Sequence, residues 1–106
     1  AVAAAAAPPG LYCFAGMTIQ HAPDGSVRMP GTTTLAGSAL RLDQAVRNLV
    51  AWNLAPPAMA LAMASTHPAG LLARHRIAVP KGQVDWSETL HVRQVTLDGT
   101  VFDVAN

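Results

Sequence analysis

The groups in this 106-residue chain that could do chemistry are few: six acids, seven Lys and Arg residues, four histidines and a single cysteine. His21, His67, His75 and His91 include no pair at the i, i+4 spacing that would place two imidazoles on one helix face for zinc. Pro68 and several loop residues separate His67 from His75, so the spacing favours surface or capping histidines over metal ligands. Cys13 has no second cysteine to pair with, which removes a disulfide framework and a cysteine-based zinc site and makes a reducing compartment the default. Gly37-Ser38 lacks the second glycine of a nucleophile elbow and has no histidine near it in sequence. Ser38 reads instead as a turn residue satisfying backbone groups ahead of a helix. Asp24 and Asp98 belong to Asp-Gly turns, and Asp43 falls in the first turn of a helix, where negative charge is favoured.

What remains is backbone chemistry. Leu35-Ala36-Gly37-Ser38 predicts a loop of small residues just before a helix. Its N–H groups could face an anion or a ligand carbonyl, with the helix dipole in support. The competing reading is a tight packing turn that needs small side chains.

The elements that would position these residues follow from period and punctuation. An Ala-rich opening ends at Pro8-Pro9-Gly10, which no helix crosses. Leu11 to Phe14 alternate as a strand, Gly16 allows a bulge or bend, and Met17, Ile19 and His21 share one face of the next strand. Asp24-Gly25 turns the chain into a short return strand through Val27 and Met29. Leu42, Ala45, Val46, Leu49 and Val50 make one helical stripe. A second helix starts after Pro56-Pro57, with Met59, Ala62, Met63 and Thr66 as its stripe, and His67-Pro68 breaks it. Ala69 to Ala73 allow one further turn. Val84 to Trp86 offer a short strand, and Val92 to Val104 form a hairpin around Asp98-Gly99, of type I′. The order is hairpin, helices, hairpin.

Composition narrows the classes. A chain 51% hydrophobic and 12% charged, with net charge +1, is folded and not disordered. With no run of like charges, and no basic or amide side chain between Ala55 and Ala64 for a recognition helix, no nucleic-acid partner is expected. The apolar stretch from Leu54 to Ala64 is interrupted by prolines and falls short of the ~20 residues a membrane span needs, so no membrane partner is expected either. Ala1 to Ala7 could end a signal peptide, but no charged region precedes them. The missing initial methionine suggests a piece of something longer. Alanine is about a fifth of the chain, so the core is expected to use Leu, Val, Met and Ala, with Trp52 and Trp86 as its largest members.

These residues carry a family resemblance. Thr34-Leu35-Ala36-Gly37-Ser38-Ala39-Leu40 and the helix Leu42 to Val50 resemble a loop and the following helix in the C-terminal third of the N-acetylglucosamine-6-phosphate deacetylases, of the amidohydrolase superfamily. Ala1 to Tyr12 resemble the segment after that family's last catalytic barrel strand. Ala60 to Ser65 with His67-Pro68-Ala69 resemble its helix ending in an Asn-Pro-Ala turn, and Leu90 to Gly99 its closing strand. Arg41 stands where the family usually has a capping Thr and Ala55 where it often has Ser, each lost cap costing about 1 kcal/mol.

The resemblance implies an α/β fold: the C-terminal part of a (β/α)8 barrel plus closing strands of a small β-sandwich. Residues 1–76 would end the barrel, with an inserted hairpin, and residues 77–106 would supply sandwich strands. It further implies a cytoplasmic, metal-dependent enzyme converting N-acetylglucosamine 6-phosphate to glucosamine 6-phosphate and acetate. Leu35, Ala36 and Gly37 would line the pocket of this amino-sugar phosphate substrate. The catalytic aspartate would precede Ala1, and the ligands of the divalent metal (zinc or similar) would lie further upstream, so no catalytic or metal-binding residue is expected within the segment. Its partners would be the remainder of its own barrel and, as the family tends to form them, a homodimer mate. The rival readings are a noncatalytic binding module and another amidohydrolase with a different amide substrate.

Overall fold

The computed structural model describes residues 3–79 and 81–104; the expectations for Ala1 and Val2 lie outside them. Two compact units divide the chain, Ala1–Arg41 and Leu42–Asn106. Antiparallel sheets and short helices make it a small α/β structure.

The first unit is a meander of β1 (Gly10–Phe14), β2 (Met17–His21), β3 (Ser26–Arg28) and β4 (Leu35–Ser38), hydrogen-bonded in that order. Ala15 and Gly16 connect β1 to β2 with φ of +50° and +77°, the pair of positive values that a two-residue hairpin turn needs to match strand twist. The predicted bend at Gly16 is therefore a full reversal. At the next turn the Asp24 carboxylate accepts from the Ser26 backbone N–H at 2.9 Å and from its hydroxyl at 2.6 Å. On β2 only Ile19 is fully buried; His21 is half-buried, and Met17 at the strand end remains exposed. Ile19, Val27 and Ala4 form the core, with Ala3, Tyr12, Ala36 and Ala39 packed around them. The Tyr12 hydroxyl donates to the Pro8 carbonyl at 2.6 Å, tying the chain ahead of β1 back onto the sheet.

The second unit holds α1 (Leu42–Ala51), α2 (Pro57–Ala64) and α3 (Thr66–Arg74), followed by the antiparallel sheet β5 (Gly82–Trp86), β6 (Val92–Leu97) and β7 (Thr100–Asp103). The predicted stripe of α1 buries Val46, while Leu42 at its start stays exposed. Asn53, at φ +56°, ends this helix: its N–H donates to Val50 and that of Leu54 to Leu49, closing the last carbonyls. Arg76, at φ +55°, ends α3 in the same way, with its own N–H on Ala73 and that of Ile77 on Leu72. The β6–β7 turn has Asp98 at +47° and Gly99 at +81°, the type I′ geometry that Asp-Gly predicts.

Several expectations are corrected. Helix α2 breaks at Ser65, and Pro68 sits in the first turn of α3, where its missing N–H has no helical partner to lose. The Met59 and Met63 stripe is exposed; the buried residue of α2 is Ala60. Trp52 is 65% exposed and is no part of the core, whose largest fully buried side chains are Ile19, Val27 and Val46. The segment at Leu35–Ser38 is a strand, not a loop.

Candidate functional site

Leu35, Ala36 and Gly37 fall on β4, the last strand of its sheet, which pairs among the described strands with β3 alone. Leu35 stands opposite Arg28 and Gly37 opposite Val27, so Ala36 is an extra residue, a β-bulge. Gly37 takes φ +140°, a value that a side chain would strain. The bulge turns Ala36 toward the Ile19–Val27 core and leaves the Leu35 side chain 67% exposed.

The phase of the ladder decides where the Leu35 backbone points. Met29 N–H donates to the Thr34 carbonyl at 2.9 Å, one of the two bonds of a hydrogen-bonded pair, while the Thr34 N–H donates to the Thr32 hydroxyl at 3.1 Å. In an antiparallel ladder such pairs alternate with pairs whose N–H and C=O face outward. Leu35, the next residue, therefore directs its N–H and C=O away from β3 toward the open edge. Ser38 ends the strand, its hydroxyl accepting the Leu40 N–H at 3.0 Å, the turn role its position predicts.

Arg28 and Asp24 stabilise the strand beside it. The Arg28 guanidinium donates to the Ser26 hydroxyl at 2.9 Å and the Thr33 carbonyl at 3.1 Å, and lies 3.8 Å from Asp24. Hydrogen bonds from the Ser26 hydroxyl and backbone, with a smaller contribution from Arg28, hold the Asp24 carboxyl below the usual carboxylate value.

The histidines fall at separate places along the elements: His21 ends β2, His67 lies in the first turn of α3, His75 caps it, and His91 precedes β6. Among the described residues no three His, Cys, Asp or Glu side chains come together as metal ligands, so the residues present do not fit the divalent ion that the resemblance implies. Cys13 is a free thiol, exposed on β1. Within the second unit a groove of about 610 Å³ runs between the helices and the sheet, lined by Leu61, Ala62, Val84, Trp86, Val92 and Val95 among others. Sequence reading missed it, because residues far apart in the chain meet there. No described helix is long and apolar enough to cross a membrane.

No protein-family model matches the chain. Curated proteins do. N-acetylgalactosamine-6-phosphate deacetylase of Escherichia coli O157:H7 is 36% identical over 105 residues, 93% of this chain but 27% of the relative. A protein of Escherichia coli K12 to which the same name is provisionally assigned is also 36% identical over 105 residues, and 62% of it is covered. The chain thus spans less than two thirds of the length of either relative. It is homologous, over nearly all its own length, to a segment of the N-acetylgalactosamine-6-phosphate deacetylases, which belong with the N-acetylglucosamine-6-phosphate deacetylases in one family.

Proposed function

We propose that this segment is the C-terminal portion of a hydrolase that removes acetyl from an N-acetylated amino-sugar 6-phosphate. It would complete a (β/α)8 barrel and a small β-sandwich whose other elements lie outside these residues. The observation that carries this reading is the 36% identity over 93% of the chain to proteins named for that reaction. The relatives' names favour N-acetylgalactosamine 6-phosphate, and the sequence resemblance N-acetylglucosamine 6-phosphate; both sugars present the same acetamide and phosphate.

Surface chemistry supports a segment of something larger. Leu54, Leu35, Trp52, Leu11 and Leu42 are each more than 60% exposed, while among the described residues the largest fully buried side chains are Ile19, Val27 and Val46. Apolar surface of this extent marks faces that other structure covers. In this reading β4 forms one wall of the substrate pocket, and the catalytic acid–base and the divalent metal with its ligands come from elsewhere in the polypeptide. The metal would polarise the amide or the attacking water.

The test is an acetate-release assay on the protein that carries this segment, using both amino-sugar 6-phosphates, with the 106-residue segment alone in parallel. Release by the longer protein from at least one sugar, and none by the segment, is the expected outcome. No release by the longer protein, or turnover by the isolated segment, would overturn the proposal. A single cooperative calorimetric transition of the isolated, monomeric segment would favour a self-contained binding module instead.

A further inference from the structure

We propose that His21 is a pH-sensitive latch on the meander: its neutral imidazole seats against the Ile19–Val27 core, and taking up a proton releases it. His21 closes β2 on the sheet face that carries Ile19, opposite Gly10 on β1 and Val27 on β3. Its Nδ1 is buried and has no hydrogen-bond partner. A ring nitrogen in that position is least costly as a bare lone pair, so the neutral ring carries its hydrogen on Nε2. The imidazolium has no such choice. Both of its nitrogens carry hydrogen, and Nδ1 would then hold an unpaired, charged donor against an apolar core.

No group described on the neighbouring elements offsets that charge. Tyr12 on β1 shares the face, but it stands opposite Ile19 and its hydroxyl donates to the Pro8 carbonyl. Cys13 on β1, opposite Thr18, and Arg28 on β3, opposite Gln20, belong to the other face. Asp24, in the turn after β2, is turned to Ser26 and Arg28. Strand β4, and Ala3 and Ala4 on the same core, carry no titratable side chain. Val27 in turn stands opposite Gly37, so His21, Val27 and Gly37 form one row across β2, β3 and β4. Release of the ring therefore loosens a row that runs to the last strand of the sheet. A fold that refuses the proton loses stability as pH falls, here through the range of roughly pH 8 to 5 in which imidazoles change charge. The Asp24 carboxyl, held below the ordinary carboxylate value, withdraws its contribution only at lower pH.

The test is amide hydrogen exchange on the protein that carries the segment, at about pH 7.5 and about pH 5.5, corrected for the intrinsic effect of pH on exchange. In the wild type the amides of β2 and β3 should open roughly ten-fold more at the lower pH, the effect of one proton that the fold withholds across that range. His21→Val puts an apolar, β-branched side chain at the same strand position and should abolish the difference. His67→Gln, at an exposed position on α3, should leave it intact. Protection in the wild type that does not fall with acid, or a fall that survives in His21→Val, overturns the proposal. Should His21→Val not fold, the wild-type ring decides. At the higher pH its ¹⁵N resonances should show Nδ1 bare and Nε2 bearing the hydrogen; hydrogen on Nδ1 overturns the proposal as well.

Discussion

Arg47 on α1 donates to the carbonyl oxygen of Leu90 at 3.1 Å, joining residues 43 apart in sequence. The same guanidinium reaches Asp43 at 3.1 Å and Gln44 at 2.7 Å, so one side chain holds its own helix and the turn before β6 together. Leu90 sits at φ +59° in that turn, a conformation unfavourable for a branched residue. Ser87 helps to fix it by accepting the Leu90 N–H on its carbonyl oxygen at 3.0 Å and the His91 N–H on its hydroxyl at 3.0 Å.

Arg47→Ala is therefore expected to cost about 2–3 kcal/mol, because the Asp43–Arg47 pair is less than one-fifth exposed on either side and the variant removes charge-assisted hydrogen bonds to Asp43, Gln44 and the Leu90 carbonyl together. Arg47→Lys keeps the charge but not the fork that reaches three acceptors, and falls in between. Urea denaturation gives the magnitude. Hydrogen exchange should speed up most at Leu90 and His91.

Ile19→Ala removes the largest member of a core that otherwise holds Val27 and Ala4 as its fully buried residues. A loss of about 3 kcal/mol is expected from the transfer and cavity contributions together. With so few neighbours to repack, the effect should appear as unfolding of the meander, read by loss of amide protection on β1 and β2.

Asp24 sets a pH dependence. Its folded pKa is depressed, so the stability it adds is present above its unfolded value and disappears as pH falls through the folded one. Ser26→Ala removes the hydroxyl donor, the largest cause of the depression. Carboxyl resonances followed by NMR should show the Asp24 midpoint moving up in the variant, toward the ordinary carboxylate value. An unchanged midpoint would contradict this.

Asn53→Gly and Arg76→Gly should each stabilise the chain by about 0.5–1 kcal/mol, since both residues close helices in the left-handed region, where glycine carries no Cβ penalty. Gly99→Ala should act in the opposite direction at the β6–β7 turn, with φ +81°. Thermal midpoints of the three variants measure all of this.

Much of the local structure is legible in the sequence because it is written in local chemistry. Asp24-Gly25 and Asp98-Gly99 announce their turns, and Val46 lies on the stripe that periodicity picks out for α1. Strand β4 is not legible in this way. Leu-Ala-Gly-Ser has little strand propensity, and its extended form depends on pairing with β3, including a bulge that no local rule predicts. Ala15-Gly16 hides a tight reversal because alanine rarely takes positive φ. Pro68 reads as a breaker, although three residues earlier Ser65 has already ended the helix. The size of Trp52 favours the interior, but size does not say which face of a helix end finds cover. The candidate site was legible as a set of residues, Leu35 to Gly37. Its donor-and-acceptor character depends on ladder phase, which only the paired strands reveal.

Helix α2, Pro-Ala-Met-Ala-Leu-Ala-Met-Ala, has no hydrophilic side for water to claim, and the residue it buries is Ala60. Solvent exerts no torque on such a cylinder; its azimuth is chosen by girth, the narrowest flank admitting the nearest neighbour. A longer side chain at position 60 would push against the neighbour that this alanine admits, displacing the rod from the flank by which it is seated.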